Sequence, residues 1–106
     1  MHKSFHSDYF QAIIQLRPAD SELIKFLENQ LRHNDKVWVA KKLNVKTGVD
    51  YYISSNKFAR MLGKKMKEAF DGTLTESKKL FGWDKLTSKN LYRVTVCFRL
   101  KPKEDA

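Results

Sequence analysis

The sequence predicts a two-layer α+β sandwich, in which two helices cover one face of a mostly antiparallel sheet. Residues 91–100 alternate apolar and polar side chains without a break, which is typical of a strand with one buried face. Two earlier segments repeat apolar residues at helical spacing, and turn-forming stretches separate the other extended segments. The predicted order is βαββαββ, and 106 residues suffice for a single domain with one core.

The first strand and the first helix follow each other closely. Within residues 9–17 the apolar Phe10, Ala12, Ile14 and Leu16 alternate with Gln11, Ile13, Gln15 and Arg17 as in a strand, and Pro18 ends this strand. Asp20 or Ser21 is then in position to cap a helix that extends to about Arg32. The apolar residues of this helix form one stripe, which we expect to contact the sheet: Leu23, Phe26, Leu27 and Leu31.

Residues 36–54 are predicted to form a hairpin. Its two extended segments are centred on residues 37–39 and 51–53, and residues 46–48 lie between them. We expect Gly48 to supply the positive φ angle that a tight turn often needs.

The second helix is predicted to begin after the capping side chains of residues 54–56 and to end at Asp71 and Gly72. Its apolar residues recur at helical spacing: Phe58, Leu62, Met66, Ala69 and Phe70. At about 100° per residue, four cations fall on the opposite face. These cations are Lys57, Arg60, Lys64 and Lys67. One face of this helix is therefore predicted to be basic.

The last strand is the best specified element of the chain. A hairpin-forming segment over residues 73–81 and a connection over residues 82–89 precede it. Its core-facing residues are predicted to be Tyr92, Val94, Val96, Phe98 and Leu100. Its outward-facing residues are predicted to be Arg93, Thr95, Cys97 and Arg99. We expect Val96 and Phe98 at the centre of the core.

The net charge of +9 is concentrated in one part of the chain. Residues 1–35 hold four Lys or Arg against five Asp or Glu, whereas residues 36–101 hold sixteen against five. A basic part on an otherwise neutral domain is typical of a surface that contacts nucleic acid or the ribosome. The alternative is that these lysines only keep a small domain soluble.

The residue inventory disfavours several function classes. Cys97 is the only cysteine, which excludes an intrachain disulfide, and His2, His6 and His33 match no zinc spacing. The sequence shows no catalytic constellation, no glycine-rich phosphate loop and no apolar run near the about 20 residues that span a bilayer. We therefore expect a cytoplasmic protein that is not an enzyme, with no catalytic residues, no metal, no cofactor and no membrane contact.

Three surfaces are candidates for binding. For each of them the alternative interpretation is that its side chains only face solvent or cover the core. The first is the basic face of the second helix. The second is the open sheet face, on which the predicted register places Arg17, Trp38, Lys42, Tyr52, Arg93 and Arg99. The third is the segment before the last strand, with its lysines and aromatic residues: Lys78, Lys79, Phe81, Trp83, Lys85 and Lys89.

Three stretches, taken in order, carry a family resemblance. Residues 48–55, Gly-Val-Asp-Tyr-Tyr-Ile-Ser-Ser, and the later Ala59 resemble a Gly-aliphatic-Asp-aromatic-aromatic segment of the nonsense-mediated-decay-protein-three family. Residues 9–17 resemble the opening strand of that family's central domain, and residues 76–80 with 92–96 resemble its later hairpin. The resemblance covers nearly the whole chain.

The resemblance implies a role on the large ribosomal subunit, which this family binds at a late stage and escorts from the nucleus in eukaryotes. Archaeal relatives resemble subunit-associated factors without that export task. The sequence lacks the family's paired zinc-binding cysteines and its leucine-rich export segments, so zinc binding and export do not carry over. We therefore expect a central domain, residues 1–106, of a longer and archaeal-type protein.

These observations favour a monomeric binding module that contacts ribosomal RNA or ribosomal protein on the large subunit and adjoins flanking domains of its own chain. The alternative is a protein–protein interaction module without direct RNA recognition. The expected contact residues are Lys57, Arg60, Lys64, Lys67, Lys78, Lys79, Trp83, Lys85, Lys89 and Arg93.

Overall fold

A computed structural model describes residues 9–102, and within them the elements follow the predicted order βαββαββ. These elements are β1 (Ala12–Arg17), α1 (Ser21–Arg32), β2 (Val39–Val45), β3 (Gly48–Ile53), α2 (Asn56–Ala69), β4 (Gly72–Asp84) and β5 (Lys89–Leu100). His2, His6 and the last four residues, 103–106, lie outside the described part of the chain.

The strands form one five-stranded sheet in the order β2-β3-β1-β5-β4. The pairing is parallel between β1 and β5 and antiparallel at the other three junctions. Buried residues of both helices join the buried residues of the sheet in one core, so the helices lie on the same face. The predicted α+β sandwich is therefore confirmed.

The N-terminus of α1 is capped by Asp20 and not by Ser21. The Asp20 carboxylate accepts hydrogen bonds from the backbone N–H groups of Glu22 and Leu23, which would otherwise have no partner in the helix. Leu23 and Leu27 are fully buried against the core. The apolar stripe of α1 thus holds the helix over the sheet.

The centre of the core lies where the sequence pattern placed it. Val96 and Phe98 of β5 have no exposed surface, and the alternating residues of β1 are equally buried. Leu62 and Met66 of α2 complete the layer above them. Full burial of one such side chain contributes about 1.5–3 kcal/mol.

Gly63 allows α2 to lie very close to the sheet, a role that the sequence pattern did not reveal. A Cβ atom at this position would lie 2.9 Å from Cγ1 of Val96 and 3.0 Å from Cδ1 of Leu74. Ala69, which we predicted on the apolar stripe, is instead exposed, and Phe70 caps the C-terminus of the helix half-buried. The buried face of α2 is therefore made earlier in the helix than predicted.

The β2–β3 hairpin differs from its prediction in two respects. Strand β2 starts only at Val39, so the segment 37–39 is its entry and not its centre. The prediction of a positive φ angle at Gly48 is wrong, since no glycine in the described part of the chain has a positive φ angle. Glycine is needed for a different reason, because a Cβ atom at Gly48 would overlap the carbonyl oxygen of Leu16 on the neighbouring strand.

The β4–β5 hairpin is longer than predicted. Residues 82–84, expected in the connection, belong to β4, and only residues 85–88 form the turn. Because β1 pairs with β5 only from Val94 onward, the outer part of the hairpin continues past the sheet as two strands. Tyr92 lies in this outer part and is 37% exposed, so its predicted burial is wrong. We refer to residues 78–93 as the hairpin arm.

Candidate nucleic-acid interface

The basic face of α2 is built by a regular helix whose opposite face is fixed in the core. The Ser55 hydroxyl accepts a hydrogen bond from the backbone N–H of Phe58 and so caps the helix. Phe58, Leu62 and Met66 are buried, which turns the other side of the helix outward. The four predicted cations are exposed on that outer side: Lys57, Arg60, Lys64 and Lys67.

Arg60, a member of this row, has an acidic neighbour. Its Nε atom lies 3.7 Å from an Oε1 atom of Glu76 on β4, and both side chains are partly exposed. Ion pairs of this kind contribute about 0–1 kcal/mol, since water screens them. This weak ion pair therefore holds Arg60 near β4, and a stronger anionic partner can still bind its guanidinium.

The hairpin arm carries the exposed apolar side chains of this end of the molecule. Together with the sheet it gives the described part a longest extent of 57 Å, against 30 and 25 Å in the other directions. The exposed apolar residues on it are Leu80, Trp83, Leu86, Leu91 and Tyr92. Leu80 and Tyr92 are cross-strand partners, and adjacent exposed apolar groups on a projecting element indicate a contact surface.

The predicted contact residues of the arm do not form one surface. Lys78 and Trp83 lie on the same side of the arm as α2. Their cross-strand partners are Val94 and Asn90, which are each two residues from Tyr92 in β5 and therefore face the same side as Tyr92. The opposite side carries Lys79 and its partner Arg93, together with Lys89. Lys85 belongs to the turn. A register shift between Leu80 and Gly82 moves Trp83 onto the α2 side.

Arg93 is used within the fold. Its guanidinium carbon lies 4.1 Å from the centre of the Phe10 ring, and its Nε donates a hydrogen bond to the Phe10 carbonyl at 3.3 Å. The Phe10 ring in turn meets the ring of Tyr52 edge to face at 4.9 Å, and Lys41 lies over Tyr52. The aromatic residues of the open sheet face are therefore engaged with one another and with cations of the same chain.

The predicted composition of the open face is also wrong at Lys42. A register shift between Val39 and Lys41 reverses the alternation in β2, so that Lys42 pairs with Tyr51 on the helix side. Arg17 lies on the open face as predicted, but its guanidinium forms a 2.7 Å ion pair with Asp50 in which both side chains are nearly buried. These contacts make base stacking on this face a weaker hypothesis than the sequence suggested.

The Gly-Val-Asp-Tyr-Tyr segment, residues 48–52, is explained by folding. Gly48 lies close to β1, and Asp50 pairs with Arg17. The hydroxyl of Tyr51 donates a 2.7 Å hydrogen bond to the carboxylate of Glu28 on α1. This hydrogen bond, assisted by Lys42, lowers the pKa of Glu28, while burial and the Glu28 carboxylate raise the pKa of Tyr51. The side chains of this segment therefore hold β3 against its neighbouring strands and against α1.

A cleft that the sequence did not indicate lies where the arm meets the start of α2. Its volume is about 300 Å³, and its polar lining comes from four separate elements or their flanks. The residues that matter for its chemistry are Tyr9, Asn56, Arg60, Lys78, Asn90 and Tyr92. The signal that could have revealed this cleft is the difference in length between β1, with six residues, and β5, with twelve. The longer strand carries Tyr92 beyond the part of β5 that pairs with β1.

The described part of the chain presents neither a metal-binding cluster nor a membrane-spanning helix. Within residues 9–102, no group of three or more His, Cys, Asp or Glu side chains is arranged to hold a metal ion. Neither helix in that range is long and apolar enough to cross a membrane.

The topology and the charged outer side of α2 together define a small, basic α+β domain. Residues 9–100 match the family model described as NMD3, second domain. Because this match spans most of the chain, the protein belongs to the NMD3 family, as the resemblance predicted. Membership links the chain with factors of ribosome biogenesis and export and with the large ribosomal subunit. No curated protein matches the sequence.

Proposed function

We propose that this domain binds ribosomal RNA on the large ribosomal subunit through the outer face of α2. The observation that carries the proposal is the row of exposed cations on this helix: Lys57, Arg60, Lys64 and Lys67. Their backbone is held by a capped helix with a buried opposite face, so contact with phosphates does not require a loop to become ordered.

Two further features support this function. The excess of positive charge lies after residue 35, in the part of the chain that supplies α2 and the arm. Lys78 extends the charged surface on the α2 side, where Trp83 adds an exposed aromatic side chain, and Lys85 extends the charge at the turn. The proposed role is one of binding in the cytoplasm, without catalysis, cofactor or membrane.

Co-sedimentation with purified large subunits at several salt concentrations tests the proposal. If each of the four cations neutralises one phosphate, the logarithm of the affinity should fall with the logarithm of the salt concentration with a slope of roughly −3 to −4. Reversal of all four to Glu should remove most of this slope. Thermal melts provide the folding control, because exposed substitutions usually change stability by about 0.5 kcal/mol or less.

A matched pair of double variants locates the surface. Lys57→Glu with Lys64→Glu changes the net charge by the same amount as Lys79→Glu with Lys89→Glu, but on the other side of the molecule. The first pair should weaken binding strongly and the second only slightly. Equal losses would show that net charge alone matters, and unchanged binding of a folded quadruple variant would refute the proposal.

The comparison of isolated ribosomal RNA with intact subunits tests the alternative partner. Direct RNA recognition predicts that the domain binds both, with a similar loss in the α2 variants. Binding to intact subunits alone, with little dependence on salt, would overturn the proposal in favour of a protein–protein contact.

A further inference from the structure

The cleft between the arm and α2 has a fixed floor. The side-chain amide of Asn56 donates a 3.0 Å hydrogen bond to the Tyr92 carbonyl and accepts one of 3.3 Å from the backbone N–H of Val94. The backbone N–H of Asn56 donates a 3.1 Å hydrogen bond to the side-chain oxygen of Gln11. The first residue of α2 is thus hydrogen-bonded to the base of the arm and to the chain before β1, so the floor of the cleft is held by contacts within the protein.

Two cations and an aromatic ring meet in this cleft. The Lys78 ammonium lies 4.6 Å from the centre of the Tyr92 ring, and Arg60 lines the same space. Asn90 adds an exposed amide, which can donate and accept hydrogen bonds. Glu76 contacts this cluster through its ion pair with Arg60, and the described residues that line the cleft include no carboxylate. The balance of charge around the cleft favours an anion.

The volume and the shape restrict what this anion can be. About 300 Å³ is at the lower end of the range of small-ligand sites, which suits a single nucleotide and not a helical segment. In a duplex the faces of the bases are stacked on one another, whereas single-stranded RNA presents them to aromatic side chains. A phosphate is a stronger partner for the Lys78 ammonium than the face of a tyrosine ring, so its arrival would expose that face.

We propose that this cleft binds one unstacked nucleotide of single-stranded RNA, with the base on Tyr92 and Asn90 and the phosphate between Arg60 and Lys78. The proposal rests on the RNA-binding function proposed above and names the form of RNA that the domain prefers. Trp83, more than half exposed and further out on the same side of the arm, offers a stacking surface for a neighbouring base.

Fluorescence anisotropy tests this preference with the 106-residue protein and a labelled single-stranded RNA of about 10 nucleotides, within the usual range of site sizes. The same RNA annealed to its complement is the competing probe. We expect tighter binding of the single strand. Tyr92→Leu should weaken single-strand binding by about 5- to 150-fold, which corresponds to the loss of one base stack. Binding of the duplex should change little.

Two adjacent lysines provide the matched control. Lys78 and Lys79 are both exposed on β4, but only Lys78 lines the cleft. Lys78→Gln should therefore reduce the salt slope for the single strand by about one, the effect of one lost phosphate contact, and Lys79→Gln should not. Glu76→Gln, which releases Arg60, should tighten the binding of the single strand.

Each outcome of these measurements is decisive. Equal affinity for single strand and duplex, or equal effects of Lys78→Gln and Lys79→Gln, overturns the cleft proposal. If Lys57→Glu with Lys64→Glu still weakens subunit binding in that case, the RNA-binding function of α2 stands without the cleft. If neither set of variants changes binding while all remain folded, both proposals are wrong.

Discussion

The close contact between α2 and β5 at Gly63 gives the most precise stability prediction. In Gly63→Ala the new methyl group would meet Cγ1 of Val96, a short and fully buried side chain, and Cδ1 of Leu74. Overpacking of this kind costs about 1–3 kcal/mol, and alanine returns about 1 kcal/mol through its higher helix propensity. The free energy of unfolding should therefore fall by up to about 2 kcal/mol.

A second substitution reverses the sign of this effect. Val96→Ala removes the Cγ1 atom that a Cβ at Gly63 would approach, at a cost of about 2 kcal/mol for the lost methyl groups and their contacts. In that background the remaining close contact is Cδ1 of Leu74 at 3.0 Å, at the end of a flexible side chain, so Gly63→Ala should stabilise the protein by up to about 1 kcal/mol once that side chain turns aside. The two substitutions should thus be coupled by about 1–3 kcal/mol.

Urea unfolding of the wild type, both single variants and the double variant measures this coupling. Gly82→Ala is the control, because a Cβ at Gly82 meets only Cδ1 of Leu91 at an ordinary 3.7 Å. Its effect should add to that of Val96→Ala. If Gly63→Ala and Val96→Ala are also additive within about 0.5 kcal/mol, α2 does not approach β5 as the structure describes.

Three further predictions concern the core, the hairpin and the contact between α1 and β3. Phe98→Ala should cost about 3–5 kcal/mol in urea unfolding, and Cys97→Ser, half-buried on the other face, much less; the reverse order would contradict the assignment of the faces. Gly48→Val should lower the melting temperature more than Thr47→Val, because only the former overlaps the neighbouring strand, and equal shifts would exclude this close approach. Folding lowers the pKa of Glu28 below its ordinary 4.5, so Glu28→Gln should be destabilising at neutral pH. This destabilisation should disappear as the pH falls through the lowered pKa, because Glu28 of the wild type then becomes protonated. A difference in stability that is independent of pH would refute this last interpretation.

The elements of the fold could be predicted because local rules determine most of them. Strict alternation identified the buried side of β5, and helical spacing separated Phe58 and Leu62 from the cations of α2. The errors arise where the neighbouring strand decides the outcome. Alternation shows which way Tyr92 points, but its exposure depends on where β1 ends. Lys42 changed sides because of a single register shift in β2.

The candidate site was predictable only in its chemical composition. A count of charges identifies a basic surface and helical spacing places four of its members, since both depend on the sequence alone. The cleft requires Tyr9, Asn56 and Asn90, which lie far apart in sequence and have no shared motif. Their assembly depends on the long arm and on the hydrogen bonds of Asn56, which no local pattern encodes.

The parallel pairing of the first and last strands has a mechanical consequence. The chain enters β1 beside Val94 and leaves β5 beyond Arg99, at the opposite end of the sheet. A pulling force on the two ends of the domain therefore acts along these strands and not across them. The hydrogen bonds between Ala12–Arg17 and residues 94–99 would be loaded together in shear instead of opening one after another. Such a domain transmits tension between the segments on either side of it while its core remains closed.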